Sequence, residues 1–145
     1  MKIETERKQQ VSWRVIENLL DKNYTVYLTD IFKVWIKRKD QKKEIIMDDL
    51  YENFIKTLKY EIRFFNPGLI ITYGNSAFRM IDKISLVSSI NILSLPHPAP
   101  TANGKWRNIL QSNSTYASSE MRCTKENKIK YINKQIDKKL NKNSE

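Results

Sequence analysis

The chain has 145 residues, enough for one domain with an ordinary core. It is 40% hydrophobic and 10% aromatic, which excludes a disordered chain, and its single Cys excludes an internal disulfide and any multi-Cys metal or iron–sulfur site. The formal net charge of +10 points to a polyanionic partner, nucleic acid before an acidic membrane surface. No apolar run approaches the roughly 18 residues of a membrane span. The first residues, Met1-Lys2-Ile3-Glu4-Thr5-Glu6-Arg7-Lys8, carry charge and no apolar signal region, so a cytoplasmic location is expected.

Taken in order, Glu4 to Asp21 reads as a helix, with Val11, Val15, Leu19 and Ile16, Leu20 at helical spacing and Trp13 widening the apolar face. Tyr24 to Phe32 is β-branched and aromatic between polar neighbours, and reads as a strand. Lys37 to Glu44 reads as a solvated, charged loop. Asp48 and Asp49 suit the first turn of a helix, where the dipole favours acid. Leu50, Phe54, Leu58, Ile62 and Phe65 continue it until Asn66-Pro67-Gly68 stops it. Leu69 to Tyr73 is a short apolar strand of the kind buried on both faces. Gly74-Asn75-Ser76 turns into a helix over about Ala77 to Lys83, and Ile90 to Leu95 is the next strand. Ile129, Ile132, Ile136 and Leu140 space out a last, Lys-rich helix.

Two successive strand–helix–strand units imply a parallel sheet with right-handed crossovers. The expected fold is therefore α/β, a three-layer sandwich around a small central parallel sheet of Tyr27–Ile31, Leu69–Tyr73 and Asn91–Leu95. One domain is expected over 1–145, with an N-terminal helix to 23, a core over 24–112 and a basic helical tail over 113–145. The N-terminal helix with Trp13 is the candidate cover for a bare sheet edge.

The stretch Leu95 to Arg107 holds the chain's only His, His97, and three of its four Pro. Pro96, Pro98 and Pro100 fix φ and remove donors, so the segment reads as a stiff loop, neither helix nor central strand. In open α/β sheets, ligands bind at the carboxyl ends of the strands. Three ends converge here. One carries Thr29, Asp30 and Lys33; the next carries Gly74, Asn75 and Ser76, with free N–H groups at a helix start; the last carries His97.

These stretches resemble the uracil-DNA glycosylase superfamily. Leu95-Pro96-His97-Pro98-Ala99-Pro100 followed by Ala102-Asn103-Gly104-Lys105-Trp106 is similar to its His-Pro-Ser-Pro loop. Val26 to Lys33 is similar to its strand ending in Asn-x-x-Lys, and Asn66 to Ala77 to its Pro-strand-Gly-x-x-Ala segment. The resemblance spans about Tyr24 to Trp106, in the family order. It implies a uracil-DNA glycosylase-like fold and excision of a flipped pyrimidine from DNA. On that reading His97 is the donor that stabilises charge on the departing base. Asp30 and Asn75 bind the base and Phe32 stacks on it. Lys33, Pro98, Thr101, Asn103, Lys105 and Arg107 contact the DNA. No metal and no cofactor is implied.

The sequence also departs from the family. It has no Gly before Gly68, so the Gly-rich loop that positions the attacking water is missing. Asp30 stands where the family has an Asn that reads uracil. An amide both donates and accepts, whereas an ionised carboxylate only accepts and suits an amino group at position 4 of the base. For Asp30 to take over water activation as well, it would have to do so from the base-reading position. Two readings follow: a glycosylase-like enzyme, shortened or completed by a second protein chain, or a catalytically inactive relative that binds DNA or a partner protein.

Overall fold

The computed structural model describes residues 10–31, 48–84, 90–112 and 122–141. Helix α1 (Val11–Asp21) is followed by irregular chain to Ile31, then by helix α2 (Asp48–Phe65). Strand β1 (Leu69–Tyr73), helix α3 (Asn75–Asp82) and strand β2 (Asn91–Leu95) form one strand–helix–strand unit. A 3₁₀ turn (Pro100–Ala102) leads into helix α4 (Asn103–Gln111), and helix α5 (Lys125–Asn141) follows.

The two strands pair in parallel, from Leu69 opposite Asn91 to Tyr73 opposite Leu95. Side chains alternate across a strand, and the two faces meet different helices. Leu69, Ile71 and Tyr73 of β1 join Leu93 and Leu95 in a core with Val11, Val15, Trp106, Ile129, Ile132 and Ile136. Ile70 and Ile92 pack on the other side against Leu58 and Ile62 of α2, Met80 and Ile81 of α3, and Ile84. The result is the expected α/β sandwich: α1, α4 and α5, then the small parallel sheet, then α2 and α3.

Local chemistry sets the boundaries. In α2, Phe54, Leu58 and Ile62 are buried at four-residue spacing, so one stripe faces the core. The helix ends where Asn66, at φ 42°, donates its N–H to Ile62 O at 2.9 Å and Pro67 prevents continuation. Helix α5 starts behind Thr124, whose Oγ1 accepts the Asn127 N–H at 3.1 Å.

Three expectations need correction. Tyr24–Ile31 forms no strand; Phe32 lies outside the described residues. Its residues are largely exposed, and its side chains find partners on a helix instead of a sheet. Tyr27 stacks on Phe65 with ring centroids 3.9 Å apart and donates to Glu61 Oε1 at 3.1 Å. High strand propensity needs a neighbouring ladder to be expressed, and these contacts give the segment another place to sit. The stiff loop is also shorter than expected. Its prolines restrain the chain only to Pro100, and Asn103 onward is helical because Trp106 and Leu110, four residues apart, bury together. Finally, α1 lies on the face of the sheet, with Val11 and Val15 in the core beside α5, rather than serving as an edge cover.

Candidate active site

Parallel pairing puts the carboxyl ends of β1 and β2 side by side, and the next residues are Gly74 and the Pro96-His97 pair. The Gly74 N–H donates to Leu95 O at 2.8 Å, which ties the two strand exits together. Gly74 has φ 88°, a region that L side chains avoid. Space is not what demands glycine there, because a Cβ would meet His97 Cβ only at 3.9 Å, an ordinary contact. The same contact shows how near His97 sits to the start of α3. Gly74 is the N-cap of that helix and supplies no side-chain cap, so the first turn of α3 presents main-chain N–H groups at the strand edge.

His97 is exposed, but its loop is closely held. The Ala99 N–H donates to His97 Nδ1 at 3.2 Å. In the neutral ring one nitrogen accepts and the other carries the proton, so this bond assigns the proton to Nε2. Trp106 Nε1 donates to His97 O at 3.0 Å, and the Trp106 ring is fully buried at 0% exposure. Lys128 Nζ donates to Pro98 O at 3.2 Å and to Asn103 Oδ1 at 2.7 Å. Ala102 N–H closes the 3₁₀ turn onto Ala99 O at 3.0 Å. Between His97 and Ala99, every main-chain carbonyl therefore has a donor from the protein.

The other anticipated site residues divide by place. Asn75 is exposed in the first turn of α3, beside Ser76, and so adjoins the His97 loop through Gly74. Pro98 is half-buried in that loop; Thr101, Lys105 and Arg107 are exposed on the 3₁₀ turn and α4. Asn103 turns its amide oxygen inward to Lys128. Asp30 is exposed in irregular chain, and its neighbours look to α2: Thr29 Oγ1 lies 3.4 Å from Glu61 Oε2. Phe32 and Lys33 fall outside the described residues.

Sequence reasoning missed two residues. Lys128 is only 4% exposed, although Lys is a residue expected at the surface. Its position is one before Ile129 on the apolar stripe, a signal that it leans toward the core. Thr72, also buried, sits one residue before the end of β1 opposite Ser94, and its hydroxyl has no hydrogen-bond partner among the described residues. An open depression of about 400 Å³ lies along α3, lined by Tyr51, Ser76, Arg79, Met80, Asp82 and Lys83. Of these only Ser76 belongs to the strand edge, so the chemistry is better sought at His97.

The model of the uracil DNA glycosylase superfamily matches residues 6–118. The chain belongs to the uracil-DNA glycosylase superfamily. The match takes in both strands, the Gly74 turn and the whole His97 loop. It ends before α5. No curated protein and no solved structure matches the chain. The glycosylase-like character of the domain thus rests on the superfamily match together with the parallel sheet whose exits carry Gly74 and His97. Among the described residues no helix is long and apolar enough to cross a membrane, and no group of three His, Cys, Asp or Glu is placed to hold a metal ion.

Proposed function

We propose that this chain binds DNA and hydrolyses the N-glycosidic bond of a flipped base, with His97 as the donor to the leaving group. The observation that carries the reading is the fixed ring of His97. Nδ1 is occupied by the Ala99 N–H, so Nε2–H is the group offered outward, from an exposed loop at the carboxyl ends of parallel strands. Bond cleavage sends the C1′–N1 electron pair onto the base, where it spreads to the O2 oxygen. A donor held in place before the reaction stabilises that charge without reorganisation. Water adds its oxygen to C1′, and its proton leaves to an acceptor or to the released base. The main-chain N–H groups at the start of α3 are a natural seat for a further negative oxygen, from base or phosphate. Lys105 and Arg107 supply charge for the backbone.

By the resemblance, an ionised Asp30 that reached the base would only accept and so suit an amino group at position 4 over uracil, although here Asp30 stands in irregular chain and not at a strand end. The absence of any Gly before Gly68 supports a second reading, in which the site binds a flipped base without efficient water attack. Release of base from oligonucleotides containing uracil, hypoxanthine or cytosine, read as alkali-labile strand breaks, separates the two. For an active chain, His97→Ala lowers the rate about 10²–10³-fold with little change in DNA affinity, because the lost interaction belongs to the transition state. On uracil itself the chain is expected to be weak or inactive. No release from any base, with salt-dependent DNA binding intact, assigns the second reading. Loss of both ends the DNA proposal.

A further inference from the structure

The peptide group between Pro98 and Ala99 is held at both ends. Its oxygen accepts from Lys128 Nζ at 3.2 Å, and its N–H donates to His97 Nδ1 at 3.2 Å. A peptide unit is planar, so fixing the oxygen fixes the direction in which the N–H points. A cation on the oxygen also polarises the group and strengthens the N–H as a donor. One rigid plane therefore links a buried ammonium to the ring nitrogen of an exposed His.

The burial of Lys128 needs a reason. Taking an ammonium out of water costs several kcal/mol unless it is compensated, and an apolar side chain of the same length often does as well or better for stability. Here the compensation is complete on the loop side: Asn103 Oδ1 at 2.7 Å, Pro98 O at 3.2 Å and the face of Trp106, 5.7 Å to its centroid. All three partners belong to the segment that carries His97. Lys128 itself lies in α5, outside the residues matched by the superfamily.

The geometry assigns Lys128 as a positioning residue that sets the tautomer of His97 through the Pro98–Ala99 peptide group. Its functional meaning rests on the reading of His97 as a donor, but the tautomer can be measured without any activity. The chain has one His, so the ring nitrogen signals of ¹⁵N-labelled protein need no assignment. In the neutral ring of the wild-type chain, the Nε2–H form is expected to dominate. Dominance of the Nδ1–H form in wild type overturns the proposal, whichever variants fold. In Lys128→Met the ratio of the two forms is expected to fall about tenfold toward mixing, and in Lys128→Gln, which keeps a shorter donor, by less. Unchanged ring nitrogen shifts in either folded variant reduce Lys128 to a packing role and overturn the proposal. Where the wild-type chain releases a base, Lys128→Met should lower kcat about tenfold and leave KM in place. A wild-type chain that releases none removes the glycosylase reading while the tautomer measurement still decides the role of Lys128.

Discussion

The His97 loop and the Tyr24–Ile31 segment occupy comparable positions in the chain, each following a regular element and each carrying anticipated site residues, yet they are held in different ways. The loop is tied from its buried side by Trp106 and Lys128, both under the protein surface. The earlier segment is tied from its exposed side by Tyr27 and Thr29 to α2. Around it, Leu28, Tyr60 and Phe64 are 70%, 68% and 69% exposed. The difference teaches where geometry is over-determined. The donor role proposed for His97 requires a ring fixed to a fraction of an ångström before reaction, and buried contacts supply that. Contacts on a wet surface leave the orientation of Asp30 to a few weak bonds.

The largest break in this contrast is expected at Trp106. Trp106→Ala removes a fully buried ring that also donates to His97 O, and should cost about 3–5 kcal/mol in urea unfolding. That is a large part of the 5–15 kcal/mol expected for a domain. A loss of under about 1 kcal/mol would mean the loop is not braced from below.

A smaller effect sharpens the comparison on the sheet itself. Burial pushes the Tyr73 phenol from 10.0 up to about 12. The folded chain then holds this proton more tightly than the unfolded chain. The stability intact below about pH 10 is lost as pH rises toward about 12. Tyr73→Phe should flatten that alkaline decline, seen as unfolding midpoints between pH 9 and 12, and leave neutral-pH stability nearly unchanged. An unaltered decline would place the responsible group elsewhere.

The smallest effect belongs to the exposed segment. Tyr27→Ala loses the stacking on Phe65 and the bond to Glu61, at about 0.5–1.5 kcal/mol. A loss as large as that at Trp106 would erase the distinction between the two regions.

Much of the architecture was legible because it depends on periodicity. Val11 and Val15, Phe54, Leu58 and Ile62, and Ile129, Ile132 and Ile136 mark buried helix stripes that sequence spacing alone reveals. The strands Leu69–Tyr73 and Asn91–Leu95 and their parallel sense followed from the helix between them. What could not be read was decided by contacts distant in sequence. Tyr24–Ile31 has the composition of a strand, but whether a strand forms depends on a partner ladder, and Phe65 and Glu61 compete for its side chains. The start of α4 hid behind three prolines that in fact end their influence at Pro100. At the site, His97 was visible as the only imidazole in a rigid loop. Its tautomer was not, because Ala99 fixes it through a bond of the folded loop. Lys128 was missed since it lies 30 residues from Pro98, in a helix whose Lys content reads as solvated.

The pairing of α1 with α5 has a consequence for how the chain is made. Lys22 reaches Asp137 at 2.7 Å across 115 residues of sequence, and Val11 and Val15 share a core with Ile132 and Ile136. On a ribosome adding about 5–20 residues each second, α1 waits on the order of 10 s for the helix it packs against. The His97 loop likewise emerges 30 residues ahead of the ammonium that steadies it. Until α5 emerges, the apolar stripe of α1 has only the sheet and Trp106 to pack against, and lacks Ile129, Ile132 and Ile136. The imidazole's surroundings are thus completed only once α5 is made, and a chain interrupted before α5 carries the His without Lys128.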